Sequence, residues 1–313
     1  MSVKKDVVKV SAPAIIGNVC VGFDLLGLAI KQPTDTLIAR KVNEKGLRIT
    51  KLSKSAASLP RNVEKNTASV AVMALLSALK QPIDHGIELE LKKGIPIGGG
   101  LGGSAASACA AVFAVNELLG RPFETNELIP FAMEGEKLTT NNIEVADNVV
   151  PCLLGGMIMC QGTNAPQRIY LPKALFLVVM MPNIKVETAL AREQLPKSID
   201  IDKAVNQMGY LANFVKGCIT GDYNLMRDNF IDEISEPYRK NNIPGFDDFQ
   251  NAALKIGALG CSISGSGPAV FAICENTLIA ENVQIEFEKV AKQHKLSAEV
   301  IVTEPNHNGI VII

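Results

Sequence analysis

The sequence predicts an α+β fold in two parts, and three observations carry that expectation. A strand-like alternation of apolar and charged residues at Ile87–Leu91 runs into a glycine-crowded stretch and then an alanine-rich helix. In the second half, apolar strand-like runs alternate with helical ones, and a strand closes the chain. Between the halves, Gly162–Gln167 contains Thr, Asn and Pro and has the composition of a linker, dividing the 313 residues into 1–165 and 166–313. A chain of this length can form two domains and ample core.

Val7–Val10 reads as a first strand. The segment Ile15–Asp24 mixes apolar residues with Asn18, a glycine and Asp24, and fits either an ordinary turn or a loop that carries functional groups. Strands are expected at Leu25–Ile30, Thr34–Arg40 and Leu47–Ile49, and a polar surface loop from Lys51 to Asn66. Thr67 is placed as the N-cap of a helix Ala68–Leu79. After the glycine stretch the helix runs to Leu119, where Gly120-Arg121-Pro122 stops it, and a further helix is expected over Leu128–Leu138 with Glu134 and Glu136 on it. Asp147-Asn148 sits between apolar stretches, either as an Asx turn or cap, or as a carboxylate with a definite partner. A short strand Met157–Cys160 follows.

Beyond the linker, Ala174–Met181 is a continuous apolar strand, and helices are expected at Glu187–Leu195, Ile201–Lys216, Asn224–Asp232 and Phe246–Ile256. Arg192 and Arg239 fall at helix edges, where a solvated charge is the ordinary outcome. Cys261–Pro268 is a second glycine-serine turn, entering a strand Ala269–Cys274. A helix to about His294 and strands Ala298–Val302 and Gly309–Ile313 complete the chain.

Composition excludes several classes. A net charge of −1 gives no electrostatic case for nucleic acid or for an anionic membrane. The most apolar runs fall short of the roughly 18 residues that a span requires, and no apolar signal core follows Met-Ser-Val-Lys-Lys-Asp, so a cytoplasmic location is expected. The 7 cysteines are dispersed and never in C-x-x-C spacing, which favours reduced, mostly buried thiols over disulfides or zinc. The 3 histidines lie far apart and make neither a metal pair nor a hydrolase triad.

The informative stretch is Gly94–Ala111, GIPIGGGLGGSAASACAA, with five glycines among the six residues 98–103. Glycine permits φ > 0 and close approach of backbone to a ligand, and a helix start offers unpaired N–H groups and the positive end of a dipole. That combination suits a phosphate. Gly98, Gly100 and Gly103 satisfy G-x-G-x-x-G, but no second parallel strand follows the helix; G-x-x-x-x-G-K-[ST] fails because no Lys precedes Ser104. A glycine turn before a tightly packed helix is the bland alternative.

Three segments, in order, resemble the motifs of the GHMP small-molecule kinases: Asn18…Gly22-Phe23-Asp24, the loop Pro96-Ile97-Gly98-Gly99-Gly100-Leu101-Gly102-Gly103-Ser104-Ala105-Ala106, and the turn Ser264-Gly265-Ser266-Gly267-Pro268. Within that superfamily the chain is most similar to the homoserine kinases, through Asn18–Gly27, Ala146-Asp147-Asn148-Val149 with Leu154-Gly155-Gly156, Ala191-Arg192, and Glu236-Pro237-Tyr238-Arg239. The resemblance implies a two-domain GHMP kinase fold, α+β overall, with an N-terminal ATP-binding α/β domain (1–165) and a ferredoxin-like C-terminal domain (166–313). It implies ATP and Mg²⁺ as cofactors and L-homoserine as a small-molecule substrate, phosphorylated on its hydroxyl in a step toward threonine. It leaves a homodimer open as the assembly.

By the same resemblance the loop Pro96–Ala106 wraps the ATP phosphates, Ser104 and Glu136 approach Mg²⁺, and Asn66 and Lys93 lie near the nucleoside. Asn18, Asp24, Asp147, Asn148, Arg192 and Arg239 face the amino acid, with Gly265 in the closing turn. An arginine fork suits the carboxylate, Asp24 or Asp147 the ammonium, and Asn148 the hydroxyl. The chain departs from the family pattern at Gly103, which replaces a serine, at Cys20, which replaces a glycine, and at Val145, which replaces a histidine. Glu136 also stands one residue further from Asp147 than usual, which brings Glu134 into contention for the metal. Another GHMP kinase of mevalonate type, or a non-catalytic ligand-binding homologue, is the alternative.

Overall fold

The computed structural model describes residues 6–140, 146–161 and 165–313. The chain begins with a long antiparallel hairpin, β1 (Val7–Gly17) and β2 (Leu26–Val42). Burial in β1 alternates from Val7 to Val10 and is then nearly continuous to Gly17. The period-two signal therefore ends where the strand goes fully inside, and the strand reaches well beyond the Val10 expected from sequence. β2 is likewise one strand where two were expected; a register shift opposite Pro13/Ala14 absorbs residues 31–33.

Next come β3 (Gly46–Leu52), α1 (Thr67–Ser77) and β4 (Gly86–Lys92), with β3 and β4 paired in parallel. The cap of α1 is Asn66 rather than Thr67: its side-chain oxygen accepts from the Ala68 N–H at 3.0 Å. Helices α2 (Gly103–Leu118), α3 (Ile129–Glu136) and α4 (Val149–Leu154) follow, then strands β5 (Met157–Met159) and β6 (Gln167–Ile169). The α2 sequence is apolar on every side, and the helix is buried accordingly, against β1 and β2 on one face and α1 and α3 on the other.

The second half contributes β7 (Phe176–Pro182), then α5 (Thr188–Glu193), α6 (Ile201–Thr220), α7 (Tyr223–Asp228), α8 (Glu236–Arg239) and α9 (Phe246–Ile256). After these come β8 (Gly260–Ile263), β9 (Val270–Cys274), α10 (Thr277–Gln293), β10 (Ala298–Thr303) and β11 (Val311–Ile312). The second sheet is antiparallel in the order β10-β7-β9-β8, the ferredoxin-like arrangement that was expected. Its helical face is closed by α9 and α10, whose Phe249 and Phe287 rings meet edge-on at 5.2 Å.

The first sheet runs β11-β1-β2-β4-β3, with β5 on the inner end of β2 and β6 on β5. Position 165/166 thus falls between two hydrogen-bonded neighbours, β5 and β6, and the last strand returns to pair with the first. All seven cysteines are free and buried. Among the described residues no helix is long and apolar enough to cross a membrane.

One glycine sets how closely α4 approaches the hairpin. A Cβ on Gly27 would stand 1.7 Å from the Asp147 carbonyl oxygen and 2.7 Å from Pro151 Cγ. Gly27→Ala is therefore expected to cost at least about 3 kcal/mol, since neither backbone can yield without disturbing a strand. Urea denaturation measures this; an unchanged midpoint would show that the Asp147 segment moves off β2 freely.

Candidate active site

The glycine loop between β4 and α2 makes its turns at Gly98, Gly100 and Gly102, with φ of 70°, 78° and 63°. Gly102 is the left-handed residue that starts α2, and a Cβ there would meet Asn148 Oδ1 at 2.8 Å. The loop is fixed from below by Lys93 at the end of β4. Its buried ammonium contacts the Asp35 carboxylate and donates to the Gly103 carbonyl at 2.6 Å and to Ser107 Oγ at 3.1 Å. Asp35 in turn accepts from the Gly94 and Ile95 N–H groups, both at 3.0 Å. An acidic residue within a strand offered no sequence signal, so Asp35 was missed; only its pairing to a distant lysine reveals it.

From above, the loop is held by the Ser264–Pro268 turn between β8 and β9. Ser264 Oγ donates to the Gly100 carbonyl at 2.6 Å, and the Ala269 N–H donates to the Gly99 carbonyl at 3.1 Å. Clamped this way, the loop borders a cavity of about 580 Å³. Ile97, Gly98–Gly100 and Gly102–Ser104 line it, as do Asn66 and Lys93. Pro96, Leu101, Ala105 and Ala106 are not on its wall, and Leu101, Ala105 and Ala106 are fully buried behind it. Asn66 spends its amide on helix capping and on the Pro60 carbonyl, and Lys93 its ammonium on the loop.

A second cavity of about 210 Å³ adjoins the first, sharing Glu136, Asn148, Thr188 and Ser266 with it. Here the structure brings together Asn18, Asp24, Asp147, Asn148, Arg192, Arg239 and Gly265, which come from six places in the chain. Ser266, from the closing turn, and Thr188 belong with them; sequence reasoning passed over Thr188, a lone hydroxyl at the start of α5 with no distinguishing pattern. Val145 lies outside the described residues.

Ser104 Oγ donates to Glu136 Oε2 at 3.1 Å, while Glu136 Oε1 is buried with no partner among the described residues. Burial pushes the Glu136 carboxyl up to about 7. Glu134, the rival for this place, points outward to Lys137 at 2.6 Å. A buried carboxylate oxygen lacking a donor, beside a hydroxyl, fits a hard divalent cation whose other ligands are phosphate oxygens and water. No cluster of three or more acidic, His or Cys groups that could hold a metal unaided occurs among the described residues.

Asp147 is also buried. Its Oδ2 accepts from the Asn18 N–H at 3.3 Å and its Oδ1 from Asn148 Nδ2 at 2.9 Å. Burial first, and the nearby Asp24 charge second, raise its carboxyl to about 7. Asp24 and Arg192 do not stand apart to receive opposite ends of a ligand; they pair with each other, bidentately, at 3.1 and 2.6 Å. Arg239 is 4% exposed; its Nη1 donates to the Gly265 carbonyl at 2.9 Å and its Nε has no partner. Among the described residues no carboxylate forms an ion pair with it. Burial lowers its pKa, against the attraction of Asp24 and Asp232.

The turn carrying Asn18 is strained. Asn18, Val19 and Cys20 have φ of 65°, 45° and 62°, and Asp24 has 57°. Left-handed geometry is costly for a β-branched valine, on the order of 1–3 kcal/mol. The turn persists because Asn18 is tied at both ends: its Nδ2 donates to the Gly265 carbonyl at 3.3 Å and its Oδ1 accepts from the Asp24 N–H at 3.1 Å.

The Asp147 shift fixes a sign for stability. The folded state keeps this proton up to about 7, whereas the unfolded chain releases it near 3.8. Between those values the folded state binds more protons, so stability falls as pH rises through that window, by up to about 1.4 kcal/mol per pH unit. Asp147→Asn is expected to remove that part of the slope, read from denaturation midpoints between pH 4 and pH 7. Equal slopes in the two proteins would show that Asp147 ionises normally.

Comparison with known proteins agrees with this geometry. Residues 66–156 match the GHMP kinases N terminal domain and residues 213–293 the GHMP kinases C terminal domain. The chain is 38% identical to the homoserine kinase of Chlorobium phaeobacteroides (strain BS1), over 96% of this chain and 98% of the relative. It is 39% identical to that of Chlorobaculum tepidum, over 87% of each. The crystal structure of homoserine kinase from Cytophaga hutchinsonii superposes with a TM-score of 0.95 at 41% identity, over 100% of this chain and 99% of that one. Two matched domains, near-complete coverage and a shared fold lead to one conclusion: the chain belongs to the homoserine kinase family of the GHMP kinases.

Proposed function

We propose that this chain transfers the γ-phosphoryl group of ATP to the side-chain hydroxyl of L-homoserine. The observation that carries the substrate is Arg239, a buried cation without an ion-paired carboxylate among the described residues, facing a small cavity that also holds Asp24 and Asp147. An amino acid complements that set: its carboxylate takes the Arg239 donors that the Gly265 carbonyl leaves free, and its ammonium takes Asp147 or Asp24. A ligand without a positive charge would leave Asp147 uncompensated.

The larger cavity takes the nucleotide, with the phosphates over the start of α2, where loop amides and the helix dipole favour negative charge. Ser104 Oγ and Glu136 would hold Mg²⁺, which neutralises charge on the transferred group when bound. Asn148 stands where the cavities meet, its Nδ2 held by Asp147 and its Oδ1 turned toward Gly102. There it orients the hydroxyl for in-line attack: the new O–P bond forms as the bond from phosphorus to the bridging oxygen of ADP breaks, and the hydroxyl proton leaves to a phosphoryl oxygen or to solvent. A loose transition state makes positioning and charge neutralisation the main requirements, so no strong base is needed. The Ser264–Pro268 turn closes the site and excludes water.

ADP release measured over a panel of small alcohols tests the assignment. Homoserine is expected to be turned over and mevalonate not; mevalonate turnover with none on homoserine would overturn it, and ATP binding without any turnover would favour a non-catalytic role. Arg239→Ala is expected to raise the KM for homoserine roughly thirtyfold or more, as for removal of a buried charge-assisted contact, with the KM for ATP near its original value. Equal rises in both would make Arg239 a structural residue.

A further inference from the structure

The carbon at the centre of each guanidinium, Arg192 and Arg239, lies 5.5 Å from the centroid of one ring, that of Phe23. The two arginines arrive from different helices, α5 and α8, and Phe23 lines neither of the two cavities. Two like charges gathered in a partly buried place repel, and Arg192 does act against the charge on Arg239. An aromatic face attracts a cation through its quadrupole. It does so without occupying any N–H donor, which a carboxylate partner would.

We propose that Phe23 is a positioning residue for the substrate carboxylate: its ring holds both guanidiniums in place without using an N–H donor of either, so that Arg192 stays paired to Asp24 and the remaining donors of Arg239 stay available. The inference rests on the amino-acid reading of the smaller cavity. The backbone that carries the ring is fixed by its turn. The Leu25 and Leu26 N–H groups donate to the Gly22 carbonyl at 2.9 and 2.8 Å, and the Asp24 N–H donates to Asn18 Oδ1 at 3.1 Å. A Cβ on Gly22 would fall 2.3 Å from Leu26 Cγ, so the turn has no slack on that side. Arg192 is additionally tethered to Asp24, and Arg239 to the Gly265 carbonyl. Arg239, whose Nε is unpartnered, has the Phe23 ring and the Gly265 carbonyl as direct contacts, with Asp24 and Asp232 acting on its charge from further off.

Steady-state kinetics of Phe23→Leu and Phe23→Tyr, with homoserine and with its carboxylate-free analogue 3-amino-1-propanol, test this. Phe23→Leu keeps apolar bulk and removes the π face. It is expected to raise the homoserine KM about tenfold, equivalent to ~1.4 kcal/mol, with kcat and the KM for ATP within about twofold. The KM or inhibition constant of the analogue should stay within about twofold, and Phe23→Tyr should stay within about threefold of the parent throughout. An unchanged homoserine KM in Phe23→Leu overturns the inference. So does a rise shared equally by ATP or the analogue, or a loss in Phe23→Tyr equal to that in Phe23→Leu. If Phe23→Leu does not fold, Phe23→Met carries the same expectations. Absence of homoserine turnover by the parent protein would overturn the function itself; turnover with Phe23→Leu indistinguishable from the parent overturns the Phe23 role alone.

Discussion

The hydrogen bonds between the glycine loop and the Ser264–Pro268 turn are the constraint on which the rest of the site depends. They join residues more than 160 positions apart, at Gly100–Ser264 and Gly99–Ala269, and a further bond joins the Gly265 N–H to the Gly17 carbonyl. A Cβ at Gly100 would stand 2.6 Å from Gly267, so the loop and the turn meet backbone to backbone. Each cavity has one wall from the first sheet's side and one from the second's. Without the clamp neither volume would be defined, and neither Asn148 nor Arg239 would face the same space.

Around that clamp the protein tolerates terms that oppose folding. Two buried carboxyls, Glu136 and Asp147, are held away from their ordinary ionisation, and Arg239 is buried with donors unused. Three consecutive left-handed residues, Val19 among them, form the turn beside them. Each costs stability, and on the proposed reading the three charged groups are compensated by ligands: a cation at Glu136, an ammonium at Asp147 and a carboxylate at Arg239. The apolar core made by β1, β2 and α2, buried almost without exception along α2, offsets them.

Much of this was legible in the sequence because it depended on local pattern. The strand–glycine loop–helix order, the all-apolar α2 and the alternating β4 are readable one segment at a time, and the observed elements follow them closely. Three of the second sheet's strands, β7, β9 and β10, were legible for the same reason, as runs of apolar residues bounded by turns, whereas β8 (Gly260–Ile263) overlaps the stretch Cys261–Pro268 expected to be wholly a turn. What stayed hidden is what tertiary contact decides. β1 beyond Val10 loses its alternation because both faces are covered, and β6 hides in a polar stretch because it is short and lies at an edge. The residues that hold the site, Asp35 and Phe23, have no pattern of their own; one is defined by Lys93, the other by two arginines.

The charge arithmetic of the smaller cavity decides which ligand it can accept. Asp24 and Arg192 already neutralise each other, Glu136 bonds Ser104 and Glu193 is exposed to solvent, so the buried charges that remain on this wall are Arg239 and Asp147. A neutral alcohol would bury both remaining groups without compensation, and a simple anion would satisfy only the arginine. A zwitterion satisfies both at once and strengthens each: its carboxylate keeps Arg239 charged, and its ammonium draws Asp147 toward the ionised form that burial and Asp24 oppose. Both ends are therefore required together. On the proposed reading that requirement, set by two residues contributed from opposite sides of the clamp, is what would select an amino acid over other small alcohols, while the glycine loop alone specifies only a phosphate.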